Sequence, residues 1–340
     1  MRSSGVFRAL FQSFAIILLT NTTAPAQTGS DLTALKNNYR RPPPQPVPNP
    51  ALAELGRDLF FSTQMSASGK TACASCHFPE LGWGVTGGPS RTDAGKLTSR
   101  KSQALIGIGH AGDSPVGWDG RNASLEAQAK SSIASGSMSM QGTETPVKVE
   151  VIEDRIRSNA AYVAKFNEAL PGAPINIDSM VKAIAAFERT IEPGIAPFDH
   201  WVQGDTQVLS DAAVRGFQLF TGKANCAGCH SGWRFTDDQF HDIGTTTTDP
   251  GRGRVVKEVM AQFAFKTPTL RSVALRPSYM HNASMATLHD VVKHYEKGGI
   301  DRPSRSPMMM PLDLSEQERS DLVAFMETLS EPAGNAKAGR

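Results

Sequence analysis

Apolar residues along the chain recur at helical rather than alternating spacing. From Asn49, which can cap a helix with Pro50 at its first position, Leu52, Leu55 and Leu59 line one face. Met180, Val181, Ile184 and Phe187 share a face of MVKAIAAFERT. Near the end, Ser315 and Glu318 form a capping box ahead of Leu322, Val323, Phe325, Met326 and Leu329. Another segment opens with Thr287 and Asp290, turns Leu288, Val291, Val292 and Tyr295 inward, and stops at Gly298-Gly299. His289 and His294 fall beside that face. No alternating strand pattern of useful length is present. The fold class is mainly α, with long loops rich in glycine and proline that suit the wrapping of a cofactor.

The pattern also repeats. Gly56-Arg57-Asp58-Leu59-Phe60 precedes Cys73-Ala74-Ser75-Cys76-His77, and Gly216-Phe217-Gln218-Leu219-Phe220 precedes Cys226-Ala227-Gly228-Cys229-His230. Each copy reads as an apolar helix, a loop and a Cys-x-x-Cys-His site, so two domains related by duplication are expected, over residues 51–200 and 201–330. The 340-residue length accommodates two cores. Before them, residues 27–50 hold the run Arg41-Pro42-Pro43-Pro44-Gln45-Pro46-Val47-Pro48, expected as an extended leader on the surface. Residues 331–340 are expected as a flexible tail.

Residues 1–26 read as a secretory signal: Arg2 and Arg8, an apolar stretch from Phe11 to Leu19, then Ala24-Pro25-Ala26. That stretch is too short to span a bilayer comfortably, and no later one reaches its length. Export to the periplasm follows, with no membrane span after cleavage. Removing Arg2 and Arg8 leaves 33 basic residues against 33 acidic ones, which gives no reason to expect nucleic acid or an anionic membrane as partner.

The four cysteines change the picture most. An even number in an exported chain normally points to disulfides. Here Cys73, Cys76, Cys226 and Cys229 fall in two tight pairs, each followed at once by histidine. In that arrangement two thiols form thioethers to haem vinyl groups and the histidine ligates iron. A single four-cysteine zinc site is the alternative, and it leaves both histidines unexplained. Two covalently bound haem c groups are expected, with His77 and His230 as proximal ligands. For the second axial position of the later haem, periodicity alone favours Tyr295 as a core tyrosine over a ligand, and His289 and His294 stay open.

LGRDLFFS, CASCH, GWDGR, LEAQA, AFERT, GFQLFTGKANCAGCHSGWRFTD, FKTPTLRSVAL, SYMHN and ATLHDVVKHYEKGG occur in one order over roughly residues 50–330. This constellation resembles the bacterial di-haem cytochrome c peroxidases, in particular the tyrosine-ligated MauG branch. The resemblance implies that peroxide reacts at the His77 haem and that Tyr295 ligates the iron of the His230 haem. It implies Trp118 as an electron bridge between the two, Gln128 as a distal-pocket glutamine, and His281 as a histidine near the second haem.

Two departures matter. Relatives place a glutamate soon after LEAQA, where this chain offers Met138 or, with a one-residue shift, Ser137; Glu144 is the nearest carboxylate downstream and a weak substitute. Relatives also hold calcium between the haems. Here Arg100-Lys101 stands for their Arg-Asn and Arg276 for a threonine, so Lys101 and Arg276 are expected to replace the ion's charge. Met308-Met309-Met310 reads as packing.

The expected function is a peroxide-reducing oxidoreductase. Its electrons would come from a small periplasmic cytochrome or copper protein, or from a side chain on a protein substrate. A di-haem electron carrier that has lost peroxide chemistry is the alternative.

Overall fold

A computed structural model describes residues 29–331 apart from Gln141; the expected signal at 1–26 and nearly all of the tail lie outside the described residues. Among the described residues ten α-helices are joined by long loops and short 3₁₀ turns, and the strands are two-residue pieces, β1 (Phe240–His241) and β2 (Phe265–Lys266), paired antiparallel.

The first core is built on two crossing helices. In α2 (Pro50–Phe61) the Asn49 side chain accepts the Leu52 amide at 3.0 Å, which fixes where the helix starts, and Leu52, Leu55, Leu59 and Phe60 are buried. It crosses α6 (Ile177–Glu188), whose Met180, Val181, Ile184 and Phe187 are buried as their spacing requires. A β-carbon at Gly56 would overlap the Ala183 carbonyl and press on Phe187, so only glycine permits this approach. The helices α3 (Leu125–Ala134), α4 (Val149–Arg157) and α5 (Ala160–Ala169) complete this half.

The second core repeats the device. Helix α8 (Asp211–Thr221) crosses α10 (Glu316–Glu327), which starts at the Ser315–Glu318 capping box. A β-carbon at Gly216 would overlap the Asp321 carbonyl and press on Phe325, so Gly216 matches Gly56 and Phe325 matches Phe187. Phe198, Phe217, Phe220, Phe235 and Phe325 pack edge-on or tilted at centroid distances of 5.0–6.0 Å.

Two segments near the expected boundaries pack on the second core. Helix α7 (Pro197–Gln203) straddles the 200/201 division, and its Phe198, Trp201 and Val202 are buried in the second core. The chain is extended and exposed over 42–48, and the segment before it folds as helix α1 (Gly29–Asn37). Leu32 and Leu35 pack on the second core, and Tyr39 is buried there with its ring stacked 4.8 Å from Phe235.

Gly216→Ala is expected to lower the thermal midpoint by several degrees, because overpacking costs about 1–3 kcal/mol and each kcal/mol moves a domain of this kind by roughly 2–4 °C. Gly88→Ala, at a site with no atom within 4 Å of the added carbon, serves as the control and should leave the midpoint unchanged. Equal midpoints for both variants would contradict the close crossing.

Candidate functional site

At the first site, residues Cys73–Ser75 form a 3₁₀ turn against α2, and the His77 amide bonds back to the Cys73 carbonyl at 3.1 Å. His77 Nδ1 lies 3.3 Å from the Trp83 carbonyl, and the Gln103 backbone also bonds the ring. Trp83 presents its carbonyl from a left-handed backbone, φ 57°. The Phe60 ring lies 6.4 Å from the imidazole. Burial pushes the Cys73 thiol up to about 12, and the Glu188 charge adds to the effect.

The second site has the same build. Cys226–Gly228 form the turn, the His230 amide bonds to Cys226 at 2.9 Å, and His230 Nδ1 lies 2.8 Å from the carbonyl of Phe235, again in a left-handed conformation, φ 55°. A largely apolar cavity opens here, lined among others by Cys226, Cys229, His230, Tyr295 and Met326. The start of α9 (Leu288–Glu296) is fixed by the Thr287–Asp290 capping box, and Tyr295 on its inner face reaches the cavity. Burial raises the Tyr295 phenol well above its ordinary range, with the two cysteines adding to the rise. His294 Nε2 is bonded to the Ile243 carbonyl at 2.8 Å and His289 is exposed; neither lines the cavity. Met308, Met309 and Met310 do line it, with Met310 62% exposed, so this run borders the site as well as packing.

His281 also lines the cavity. Its ring lies flat on Phe265 at 3.6 Å, its Nε2 has no hydrogen-bond partner, and Asp249 Oδ2 is 3.9 Å away. Burial pulls its pKa down to about 4, which leaves it neutral.

Between the sites runs the segment around Lys101. Trp118 lines the second cavity, and its indole nitrogen donates to the Lys101 carbonyl at 2.7 Å. Gln103, two residues along, lines the same cavity while its backbone bonds His77 of the first site. Lys101 Nζ donates to the carbonyls of Arg276, at 2.8 Å, and of Ser278. Arg276 turns its guanidinium elsewhere, to the carbonyls of Arg271 and Thr269, so the two cations do not occupy one spot. Arg100 pairs with Asp119 and Asp249 at 2.8 and 2.7 Å, joining the Trp118 loop to the second half.

The expected distal residues fare differently. Met138 is buried with its sulfur 3.7 Å from Cys73 Sγ. The Gln128 amide is held by Asn122, which donates to it, and by Ser132 Oγ, which accepts from it at 3.2 Å. Glu144 is solvent-exposed and stands outside the first core. The sequence reading missed Glu188, which is 8% exposed with no partner for Oε2. Its signal was position: it directly follows Phe187 on the inward side of α6.

These residues fit haem. The two cysteine pairs sit against separate cores, so they do not converge on one zinc. Each histidine has Nδ1 engaged by a backbone carbonyl, which fixes the tautomer and leaves Nε2 for iron.

Comparison with known proteins agrees. The di-haem cytochrome c peroxidase family matches residues 50–207 and the cytochrome c family residues 213–330. The methylamine utilization protein MauG of Methylorubrum extorquens is 42% identical over 313 residues, covering 89% of this chain and 86% of that protein. The cytochrome c551 peroxidase of Nitrosomonas europaea is 30% identical, covering 83% and 80%. The solved structure of a MauG-like protein associated with microbial copper homeostasis superposes with a TM-score of 0.76 at 28% identity, covering 86% of this chain and 94% of that one. With its two cytochrome-c-like halves, the chain belongs to the di-haem cytochrome c peroxidase/MauG family of haem oxidoreductases.

Proposed function

We propose that this protein is exported to the periplasm and reduces hydrogen peroxide. One haem would be held by Cys73, Cys76 and His77, the other by Cys226, Cys229 and His230 with Tyr295 as second axial ligand. Bound there, the haems would supply redox-active iron, for reaction with peroxide at the first site and for storing or relaying oxidising equivalents at the second. The observation that carries the reading is the Lys101–Gln103–Trp118 connection, which touches His77 at one end and the cavity of His230 and Tyr295 at the other.

The protein's own groups have defined tasks in this reading. The Trp83 and Phe235 carbonyls aim the two imidazoles. Tyr295 sits where burial favours the neutral phenol, so a ferric centre is what would hold it as phenolate, and that hard donor in turn stabilises oxidised iron. Trp118 offers an aromatic ring at the edge of the second cavity, fixed by its bond to Lys101. Electrons would arrive from a small periplasmic cytochrome or copper protein, or from a protein substrate. Among the described residues no helix is long and apolar enough to cross a membrane.

Calcium belongs to the proposal as an absence. Lys101 Nζ already satisfies the carbonyls of Arg276 and Ser278. Burial and the Arg276 charge lower its pKa to about 8, which leaves the ammonium mostly charged at neutral pH.

A second reading, an electron carrier without peroxide chemistry, is favoured by Met138, whose apolar side chain rather than a carboxylate packs against Cys73. Rapid mixing with stoichiometric hydrogen peroxide separates the two. Conversion to an oxidised species that decays when a reduced donor is added is expected; unchanged spectra with both irons low-spin would establish the carrier. Tyr295→Phe should alter one of the two ferric paramagnetic signals at unchanged covalent haem content, and identical signals would remove Tyr295 as a ligand. Elemental analysis should find calcium well below one per chain, with chelator treatment leaving the spectra unchanged. One tightly held calcium ion would overturn the role given to Lys101.

A further inference from the structure

Cleaving peroxide needs a group that moves protons, and neither Met138 nor the exposed Glu144 supplies one. The internal duplication shows where to look. Gly56 meets Ala183 and Phe187 as Gly216 meets Asp321 and Phe325. The residue after Phe187 therefore corresponds to the residue after Phe325, and that residue, Met326, lines the second cavity beside Cys226 and His230. Its counterpart in the first half is Glu188.

Three further observations place Glu188 at the first site. Its side chain is buried, its Oε2 has no hydrogen-bond partner, and it lies near enough to Cys73 that ionising it would raise the thiol's pKa further. Arg189, the adjacent cation, is engaged with Glu126 of α3 at 2.8 Å. A buried carboxylate oxygen without a partner is strongly disfavoured in its charged form unless the group takes up a proton or meets a ligand. Burial pushes the carboxyl up to about 8, Arg189 opposing and Glu126 adding to the rise, so at neutral pH the acid is mostly protonated.

We propose that Glu188 is the proton-transferring carboxyl of the first haem site, an assignment that rests on the peroxide reading above. When the O–O bond breaks, the departing oxygen takes the proton of Glu188 and leaves as water. The carboxylate then recovers the proton that peroxide gives up on binding. Two electrons from the electron donor and two protons from solvent release the other peroxide oxygen as a second water, so that one peroxide, two protons and two electrons give two waters.

Glu188→Gln keeps the shape and removes the transferable proton. With full covalent haem verified, its reaction with stoichiometric hydrogen peroxide is expected to slow by about 100-fold or more, and Glu188→Asp should fall between the two. Infrared difference spectra across a pH titration supply a readout independent of turnover. Wild type should show the carbonyl stretch of a protonated buried acid at neutral pH, and Glu188→Gln should lack it. A wild-type spectrum without that band overturns the proposal, however the variants fold. A reactive wild type with an equally reactive Glu188→Gln sinks this assignment alone, whereas a wild type inert to peroxide sinks the peroxide reading with it.

Discussion

The two halves are joined through Lys101. Its ammonium is taken out of water, and a buried cation is tolerable only where oxygen acceptors replace the lost hydration. The carbonyls of Arg276 and Ser278 are those acceptors, and both belong to the second half. The same residue donates its amide to the His281 carbonyl at 2.7 Å and accepts the Trp118 indole at its own carbonyl. One residue of the first half thus orients a tryptophan and a histidine that both border the second cavity. The neighbouring Arg100, spread between Asp119 and Asp249, holds the same seam from its other side.

Against that fixed seam, duplication has produced halves alike in frame and unlike in content. The glycine crossing, the 3₁₀ turn before each histidine and the carbonyl on each Nδ1 recur. What differs is what faces the cofactor site. The second half presents a tyrosine from α9 and a methionine from α10. The first places Met138 against its cysteine and ends α6 on a buried acid. A shared scaffold with different linings is a physical basis for giving two chemically identical cofactors different tasks.

Much of this was legible in the sequence, because local chemistry dictated it. Asn49, Thr287 and Ser315 announced their helices through caps, and Leu52, Leu55, Leu59 and Tyr295 announced their faces through spacing. The cysteine–histidine pairs marked both sites without help from the fold. What was hidden depended on tertiary partners. Nothing local tells that Lys101 finds two carbonyls far along the chain, or that Arg276 beside them turns away. Glu188 was hidden because a charged residue at the end of an apolar helix usually faces solvent. Helix α1 escaped because its two leucines cover a surface supplied by the other end of the chain.

That last contact bears on how the molecule is assembled. Tyr39 lies among Phe198, Phe217 and Phe235, and Arg41 donates to the carbonyls of Pro193 and Gly194. The segment synthesised early is thus a component of the unit synthesised late. As the chain emerges in order, the first half can close its core while Tyr39 still waits for the aromatic residues that will receive it. The chain is fastened like a belt, the segment from Leu32 to Tyr39 tucked beneath the last section to be wound, and the second core is complete only when that segment has met the aromatic residues of the second half.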